Sequence, residues 1–596
     1  MYFGNRTIRV HLLRGVLGVS ALYISLSVLR GTNWRALIFL AAALYLLKGC
    51  PMCWTLGLIE TLVMTIHRRS ERRFDSGQSQ SAEGVGVAMN AYAKCGLAVI
   101  IIAFTFSSSI AHPRDNPPRI ELTPCSIDRF NGEAKCGSYE VYENRLTRRG
   151  RKITLKIVII PADSNDRLPD PVIYIAGGPG ASATASAAGV ANTLAQIRQH
   201  RDLVFLDQRG TGGSHPLNCN LYKQSDLSSY FGDVFPPDDV RKCRETLERD
   251  ADLTLYTTLS AVDDLDDVRE ALGYHTVNLF GASYGTRLAL VYLKRHADHV
   301  RTVTLQGVSP TNEFVPRNFP QSAERALEGI LGECDANEAC HKAFPNLRNE
   351  ASQVFEKLRI GSVPLSLRNV NVVLTHDQAV EGIRFMLYAP GTASRIPLIL
   401  HQASQGEFTP ILQASLAYRR QVLPGVSLGL YFSITCAEDI PWIKPGEGAR
   451  LARDTFLGEA SLRQLRAACR MWPRARVPND YRKPTKSSSP VFVLTGEWDP
   501  VTPPTNGDAT ARYLSDSLHV VVPHGAHDFG DLEGIQCLLD LETEFVERGS
   551  IKGLDTSCVK AIKRRGFAVP IAQPSDGERL RTGRTWLLYS TLIQTN

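Results

Sequence analysis

The residue pattern with the clearest chemical meaning is a serine flanked by glycines at residues 281–285, Gly-Ala-Ser-Tyr-Gly. Residues 277–280 before it have the pattern of a buried strand, and residues 286–296 after it have the pattern of a helix. Glycines two positions on either side of Ser283 remove the Cβ atoms that would clash in a sharp strand-to-helix turn. Because such a turn lifts the hydroxyl clear of the backbone, the pattern predicts Ser283 as a nucleophile.

A serine hydroxyl near neutral pH needs a base, and the base needs an acid that orients it. Asp499 follows the predicted strand at residues 491–494, and His527 follows the predicted strand at residues 519–522. Catalytic groups collect at the carboxyl ends of such strands, and the chain order Ser, Asp, His suits this type of turn. His524 is a second candidate base. We favour His527 because it lies after a Gly-Ala turn and before a helix.

A glycine-rich turn supplies candidate hydrogen-bond donors for the substrate. Residues 177–180, Gly-Gly-Pro-Gly, follow the predicted strand at residues 172–176. Backbone N–H groups in such a turn stabilise the negative charge that develops on a substrate oxygen. We predict that the N–H groups of Gly178 and Tyr284 form this oxyanion hole. The alternative is that the segment is a glycine-rich turn with no catalytic role.

Predicted strands and helices alternate along the chain, and they must position these groups. Strand patterns cover residues 153–160, 172–176, 203–206, 277–280, 302–305, 491–494 and 519–522, and helical patterns cover residues 261–272, 286–296, 509–514 and 534–546. Such alternation predicts an α/β fold with a mostly parallel sheet that is covered on both faces. Residues 310–489 are largely helical and irregular, which predicts a lid between core segments 120–309 and 490–568. The tail at residues 569–596 is expected to be flexible.

These motifs resemble those of the α/β-hydrolase peptidases, in particular the proline iminopeptidases and the secreted tripeptidyl aminopeptidases with their TAP-like C-terminal module. The matching segments are residues 175–180 (Ile-Ala-Gly-Gly-Pro-Gly), 207–212 (Asp-Gln-Arg-Gly-Thr-Gly), 281–285, 499–503 (Asp-Pro-Val-Thr-Pro) and His527. The resemblance covers about residues 120–568 and implies the α/β-hydrolase fold. Proline iminopeptidases usually carry His before Gly-Gly-Pro-Gly. This chain has Ala176, which favours the tripeptidyl type and argues against strict proline specificity.

Ten of the thirteen cysteines follow residue 111 and lie in pairs that are close in sequence. Pairing of neighbours gives Cys125–Cys136, Cys219–Cys243, Cys334–Cys340, Cys436–Cys469 and Cys537–Cys558. An even set of this kind is typical of an oxidising compartment. The sequence leaves the connectivity open, and ten unpaired buried thiols are the alternative. The segments at residues 436–439 and 554–558 also resemble cysteine-bearing landmarks of the secreted peptidases.

The positive charge of the chain is concentrated at its N-terminal end. Residues 1–75 contain ten Lys or Arg and three Asp or Glu, which accounts for the whole net charge of +7. The remaining chain is neutral, which argues against a basic body that binds nucleic acid. Apolar stretches at residues 10–29, 36–47 and 55–66 predict a membrane helical hairpin that is bent near Pro51. Arginines flank both outer ends, which predicts that both ends lie in the cytoplasm.

This N-terminal portion weakly resembles the small two-helix inner-membrane domain that is fused to some rhodanese modules. The matching positions are Asn5, Arg9, Arg14 with Gly15, residues 49–51 (Gly-Cys-Pro) and residues 56–57 (Leu-Gly). Cys50 and Cys53 form a Cys-x-x-Cys pair. The pair is either a redox pair or half of a metal site, or it serves only for packing.

A polar linker at residues 76–94 precedes a third apolar run at residues 95–111. The basic start, apolar core and Ser-x-Ala end of this run are typical of a secretory signal that is cleaved near Ala111. A third transmembrane helix is the alternative, and Met89 is an alternative start. Either reading places the hydrolase domain on the periplasmic or extracellular side of a bacterial-type inner membrane, or in the medium after cleavage.

An enzyme that releases residues from peptide N-termini must bind a free α-amine, which is a cation at neutral pH. A carboxylate near the scissile bond provides charge-assisted hydrogen bonds to it. The candidates are Glu438, which follows Cys436 in the predicted lid, its neighbour Asp439, and Glu497, two residues before the catalytic acid. We favour Glu438, because a lid residue held by a cysteine bridge is expected to face the substrate. A surface carboxylate is the alternative.

The motifs predict a serine hydrolase that uses a Ser-Asp-His triad and an acyl-enzyme, and the resemblance implies an aminopeptidase acting on peptide N-termini. A carboxylesterase or lipase on the same scaffold is the first alternative, although lipases more often carry His-Gly-Gly-Gly. A non-catalytic membrane-associated binding protein is an alternative of another class, and the complete Ser-Asp-His order argues against it.

The expected partners are a peptide substrate and, through the N-terminal helices, a membrane, with no nucleic acid. Residues 177–180 lack the Gly-Lys-Ser/Thr of a nucleotide loop, and the sequence has no cluster with metal-ligand spacing. We therefore expect no cofactor and no metal. The sequence carries no signal for the oligomeric state.

Overall fold

The computed structural model describes residues 120–223, 226–367 and 370–570. The predicted membrane hairpin, the linker, the signal-like run, Cys50, Cys53 and nearly all of the predicted tail lie outside these residues. Within them, no helix is both long and apolar enough to cross a membrane.

A nine-stranded mixed sheet, in the order β1-β2-β3-β5-β4-β6-β7-β10-β11, forms the centre of the described chain. The strands are β1 (Thr123–Pro124), β2 (Lys135–Tyr142), β3 (Lys152–Ile160), β4 (Val172–Ile175), β5 (Leu203–Leu206), β6 (Val277–Ala282), β7 (Val300–Gln306), β8 (Val363–Leu367), β9 (Val370–Leu374), β10 (Val491–Gly496) and β11 (Ser517–Val522). Neighbours from β5 to β11 run parallel, whereas β1, β2 and β3 form an antiparallel edge that also pairs antiparallel with β5.

Seventeen α-helices lie between and after the strands of the described chain. In the first part of the core they are α1 (Ala187–Thr193), α2 (Ala195–Arg198), α3 (Pro237–Leu247), α4 (Thr258–Ala271) and α5 (Tyr284–Arg295). Between β7 and β10 they are α6 (Phe319–Ala336), α7 (Glu338–Ala343), α8 (Leu347–Ile360), α9 (His376–Met386), α10 (Pro390–Ala393), α11 (Ile396–Ser404), α12 (Thr409–Ala417), α13 (Leu428–Glu438), α14 (Glu447–Ala452) and α15 (Ala460–Met471). The last two are α16 (Pro504–Ala511) and α17 (Gln536–Arg548).

The two faces of the sheet belong to separate apolar clusters, each closed by helices. In β3, Leu155 and Ile157 join the cluster that contains residues of α4 and α5, while Val158 and Ile160 join the cluster that contains residues of α1, α2 and α17. Successive side chains of a strand point to opposite faces, so the sheet is covered on both sides. This arrangement confirms the predicted α/β architecture and explains why the central strands are almost entirely apolar.

The segment between β7 and β10 forms a lid with an apolar core of its own, which includes Leu327, Ile330, Phe344 and Phe408. It also contains the antiparallel hairpin β8–β9, in a region predicted to be helical and irregular. The sequence signal for this hairpin is weak because β8 contains Pro364 and each strand has only five residues.

Five disulfide bonds connect the ten cysteines of the described chain, in the pairs that neighbour pairing gives. Two lie in the lid: Cys334–Cys340 joins α6 to α7, and Cys436–Cys469 joins α13 to α15. Because Cys436 lies in the last turn of α13, this second bridge fixes the end of that helix.

Candidate active site

Ser283 lies in the sharp turn between β6 and α5. Its backbone has φ = +55° and ψ = −123°, a conformation that L-residues rarely adopt. A Cβ atom on Gly281 would lie 2.7 Å from the carbonyl oxygen of Gly285, and one on Gly285 would lie 2.1 Å from that of Ile175. Both glycines are therefore required by sterics, as the sequence pattern predicted.

Hydrogen bonds from the next strand hold this turn in place. The N–H of Ser283 donates to the carbonyl of Gln306 at the end of β7, at 2.8 Å. The hydroxyl of Thr286 donates to the Ser283 carbonyl at 2.5 Å and accepts from the N–H of Ser309 at 2.9 Å. Such support is needed because a strained backbone persists only where its surroundings determine it.

His527 and Asp499 form a short hydrogen-bonded pair. Nδ1 of His527 lies 2.7 Å from Oδ2 of Asp499, whose side chain is fully buried. The other carboxylate oxygen accepts the main-chain N–H groups of Val501 and Thr502, both at 2.8 Å. The Thr502 hydroxyl donates to Oδ2 at 2.7 Å. The acid is thus fixed by four donors, one of which is Nδ1 of the base.

The pKa shifts of His527 and Asp499 agree with a hydrogen-bonded acid–base pair. Burial lowers the pKa of His527, but the charge and hydrogen bond of Asp499 outweigh burial, so the net pKa is raised above its ordinary value. Burial raises the pKa of Asp499, but His527 and the donors of Thr502 outweigh that effect, so its net pKa is lowered. The pair therefore favours an ionised acid and a basic imidazole.

The end of β7 brings the base to the nucleophile. Gly307, at φ = +66°, follows the residue that binds the N–H of Ser283. A Cβ atom on Gly307 would lie 3.0 Å from Cε1 of His527, so both the close approach of the imidazole and the positive φ favour a glycine here. On the lid side, the ring of Tyr388 lies edge-on to His527 with centroids 5.3 Å apart.

His524, the second candidate base, faces the lid and not the acid. Its Nδ1 lies 2.7 Å from a carboxylate oxygen of Glu333, and its main-chain N–H donates to Glu497 at 2.9 Å. Glu333 also accepts from the guanidinium of Arg564 at 2.5 Å. The geometry therefore supports His527 as the base.

The glycine-rich turn after β4 lies against the nucleophile. A Cβ atom on Gly177 would lie 3.0 Å from Cβ and 3.6 Å from Oγ of Ser283. Gly178 follows with φ = +110°, in the region that favours glycine. Tyr284 is the first residue of α5, so its N–H has no partner within the helix. The turn that contains Gly178 thus lies beside the serine, and the role of Gly178 and Tyr284 as oxyanion donors stays a prediction.

The segment at residues 207–212 supports this turn. Asp207 is fully buried and accepts from the Ser182 hydroxyl at 2.7 Å and from the Thr184 N–H and hydroxyl at 2.9 and 2.8 Å. Arg209 donates twice to the buried Asp264, at 2.6 and 2.8 Å. These residues shape the loop behind the oxyanion donors.

The structure contradicts the prediction that Glu438 faces the substrate. Its side chain is 1% exposed, and its carboxylate accepts from the N–H and hydroxyl of Thr258 at 2.8 and 2.7 Å and from the hydroxyl of Tyr481. The reason is that Glu438 ends α13, a helix whose residues are nearly all buried. The Thr258 hydroxyl lies 2.8 Å from that of Tyr284, so Glu438 supports the nucleophile turn from behind.

The two other predicted amine acceptors are also engaged by the protein. Asp439 is buried and lies 3.0 Å from the guanidinium of Arg287, four residues after the nucleophile. Burial raises the pKa of Asp439 to about 6, although Arg287 opposes it. Glu497 is half-buried, and its carboxylate accepts the main-chain N–H of His524.

Sequence reasoning missed three residues that contact the triad or its loops. Thr502 lies within the segment at residues 499–503, so its place in that motif was the available signal. Arg325, which donates to the main-chain carbonyls of Glu497 and Asp499, and Tyr388 come from the lid, and no local pattern marks either of them.

Comparison with known proteins finds two family models. The alpha/beta hydrolase fold matches residues 170–342, and the TAP-like protein family matches residues 454–558, which begin inside the lid. The chain is a serine hydrolase of the α/β-hydrolase fold. The two matches confirm the resemblance that the motifs indicated.

Two of the curated relatives match about three quarters of the chain, and a third matches a shorter part of it. Serine protease Hip1 of Mycobacterium tuberculosis is 24% identical over 494 residues, 75% of this chain and 92% of that protein. Tripeptidyl aminopeptidase of Streptomyces lividans is 23% identical over 482 residues, 76% of this chain and 88% of that protein. Proline iminopeptidase of Neisseria gonorrhoeae is 30% identical over 138 residues, 23% of this chain and 32% of that protein. These relatives confirm the prediction of a serine peptidase on this fold.

Proposed function

We propose that this protein is a serine aminopeptidase, which releases residues or short peptides from the N-termini of peptides. The observation that carries the proposal is the His527–Asp499 pair, at 2.7 Å, beside a serine held in a strained strand-to-helix turn. A relative named tripeptidyl aminopeptidase, of which the chain covers 88%, supports the N-terminal specificity.

The proposed reaction uses general acid–base catalysis and an acyl-enzyme. Nε2 of His527 takes the proton of Ser283 as its Oγ attacks the scissile carbonyl, and Asp499 stabilises the imidazolium that forms. The N–H groups of Tyr284 and of the turn containing Gly178 stabilise the oxyanion. His527 then gives the proton to the leaving amine, which leaves an acyl-enzyme. Water attacks that ester with His527 again as the base, and the released serine recovers its proton.

A substrate panel tests the peptidase assignment against the esterase alternative. The measurement is kcat/KM of the full-length protein on a tripeptidyl p-nitroanilide, on its N-acetylated form and on a short acyl p-nitrophenyl ester. A site that binds a free amine contains a charged group that an acetylated substrate leaves unpaired. We therefore expect kcat/KM on the free peptide to exceed that on the acetylated peptide by about 10²-fold or more. Equal rates on the two peptides would rule out N-terminal recognition, and turnover of the ester alone would favour the esterase.

We further propose that the hydrolase domain lies outside the cytoplasm, either tethered by N-terminal membrane helices or released after cleavage near Ala111. The basic and apolar character of residues 1–75, the signal-like run at residues 95–111 and the five disulfide bonds support this location. The test is a reporter fused after residue 119. Alkaline phosphatase is expected to be active there, whereas fluorescence from a reporter that matures only in the cytoplasm would contradict export.

A further inference from the structure

The lid helix α6 presents one face to the loop that carries the catalytic acid. Arg325, Gly329 and Glu333 are spaced four residues apart and therefore lie on the same side of the helix. All three lie against Trp498, whose chain neighbours are Glu497 and the catalytic Asp499. One helix of the lid thus packs along the whole turn that follows β10.

Arg325 binds this turn at three consecutive residues. Its guanidinium donates to the main-chain carbonyl of Glu497 and, at 3.3 Å, to that of Asp499. The same group lies 5.6 Å from the centre of the Trp498 ring. These contacts use main-chain acceptors and an aromatic face, so the positive charge of Arg325 is placed beside the catalytic acid without a carboxylate in direct contact.

The other two residues of the face complete the contact. A Cβ atom on Gly329 would lie 2.3 Å from the Trp498 ring, so a glycine is needed for this close approach. Glu333 accepts from Nε1 of Trp498 at 2.6 Å and lies 2.7 Å from Nδ1 of His524, in the loop that leads to His527. The face therefore reaches the loops of both the acid and the base.

We propose that Arg325 is a positioning residue for catalysis: it fixes the main chain of the catalytic acid and supplies a positive charge that balances the carboxylate of Asp499. The inference rests on the triad of the proposed function, but it does not depend on the peptide substrate. It also makes the lid a part of the catalytic apparatus, since the acid loop is completed by a lid helix.

The charge of Arg325 interacts with the carboxylate of Asp499, so we expect it to act on the base through the acid. The titratable and charged groups that act on His527 are Asp499 and Asp528 from the core, with Arg384 and the adjacent ring of Tyr388 from the lid. Glu497, Glu333, His524 and Arg564 lie in or beside the acid loop. Removal of the Arg325 charge makes the potential at the acid–base pair more negative. The imidazole then holds its proton to higher pH, and the acid limb of the rate profile moves upward.

The test measures how fast a fluorophosphonate labels Ser283 between pH 5 and pH 9 in the full-length protein. This readout needs the triad but no peptide, so labelling without peptide cleavage would contradict the aminopeptidase proposal alone. The variants are Arg325→Gln and Arg325→Lys. The matched control is Arg348→Gln, a lid arginine that pairs with Glu328 and Asp335 on the exposed surface.

We expect Ser283 to be labelled about tenfold to a hundredfold more slowly in Arg325→Gln, because small displacements of a catalytic group are costly. The acid limb of the pH–rate profile should also shift to higher pH. In Arg325→Lys the acid limb should stay in place, because the positive charge is kept. The labelling rate should still fall several-fold, since an ammonium group cannot bind both carbonyls and stack on Trp498. Arg348→Gln should behave like the wild type. A rate within threefold of wild type in Arg325→Gln would overturn the proposal.

A slower Arg325→Gln with an unmoved acid limb and a lowered Tm would also overturn it, since that result indicates a purely structural role. If Arg325→Gln does not fold, Arg325→Lys decides the matter. A wild-type rate in Arg325→Lys would contradict the positioning role, and a reduced rate at unchanged Tm would support it.

Discussion

Thr502 is the residue that links the acid and the base of the triad. Its hydroxyl lies 2.7 Å from Oδ2 of Asp499 and 3.1 Å from Nδ1 of His527, so it sits where the two side chains meet. The hydroxyl donates a hydrogen bond to the same carboxylate oxygen that binds Nδ1 of the imidazole. It therefore helps to fix the direction of the hydrogen bond between acid and base.

We expect Thr502→Val to lower kcat/KM about tenfold to a hundredfold, because it removes a hydrogen bond to a charged group that is worth about 1.5–3 kcal/mol. The matched control is Thr505→Val at an exposed position in α16, which should stay near wild type. A full wild-type rate in Thr502→Val would show that the main-chain donors alone hold Asp499.

The pH dependence of the reaction follows from the raised pKa of His527. The base acts in its neutral form, so kcat/KM should rise with pH through a midpoint above the ordinary imidazole value of 6.5. Asp499→Asn removes the charge that raises this pKa, and we expect the midpoint to fall while the rate drops about 10⁴-fold. A midpoint that stays in place in Asp499→Asn would contradict the assignment of the base.

The residues of the triad could be predicted because each follows a strand in a short segment with a recognisable pattern. Arg325 and Tyr388 could not be predicted, since they reach the site from lid helices that are distant in sequence and carry no motif. Glu438 was predicted wrongly because an acidic residue after a cysteine in a lid was expected to face the substrate. Burial against Thr258 and Tyr481 depends on tertiary packing, which the local sequence does not encode.

At the scale of elements, the end of α13 braces the start of α4 and the first residue of α5. Glu438 accepts three hydrogen bonds there, from Thr258 and Tyr481. We expect Glu438→Gln to cost about 1–3 kcal/mol of stability, because a carboxamide turns one acceptor into a donor that faces other donors. Its loss of kcat/KM should be equal on a peptide and on an acyl ester, with Tm measured in parallel. A loss confined to free-amine peptides would restore Glu438 as an amine-binding residue.

Helix α17 contains a buried carboxyl group. Glu542 is 4% exposed, and burial raises its pKa to about 8, from an ordinary value of 4.5. Between these pH values the folded protein keeps the proton and the unfolded chain releases it, so the free energy of unfolding falls as pH rises.

We therefore expect Glu542→Gln to be more stable than the wild type by about 1–3 kcal/mol at pH 8 and to match it near pH 4. Thermal unfolding across this range makes the comparison, with Glu544→Gln, at an exposed position of the same helix, as the control. A difference in Tm that does not change with pH would contradict the raised pKa.

The order of strands and helices in the core followed from their alternation in sequence, because buried parallel strands are nearly continuous apolar runs. Element ends were less predictable. Helix α16 begins at Pro504 and not at residue 509, since proline fits the first turn of a helix, where its missing N–H costs nothing. The hairpin β8–β9 was missed because its two five-residue strands lie within a largely helical segment and β8 contains Pro364.

At the scale of the whole described chain, the lid forms hydrogen bonds with three loops of the site. Ser427 donates its N–H to the carbonyl of Gly180 in the oxyanion turn, at 2.9 Å. The N–H of Asp528, next to the base, donates to the carbonyl of Tyr388 at 2.8 Å. With the contact of Arg325 to the acid loop, these bonds mean that core and lid build the site together. Motion of the whole lid would therefore disturb all three loops at once.

The most direct test of the central claim compares the activities of Ser283→Ala, His527→Ala and His524→Ala on the preferred peptide substrate. We expect the first two variants to fold normally and to lose about 10⁴-fold or more in kcat, since the remaining groups cannot act without them. His524→Ala should keep most of its activity, because His524 faces Glu333. A Ser283→Ala variant with more than a tenth of the wild-type rate, or a reversal of the two histidine results, would contradict the Ser283–Asp499–His527 assignment.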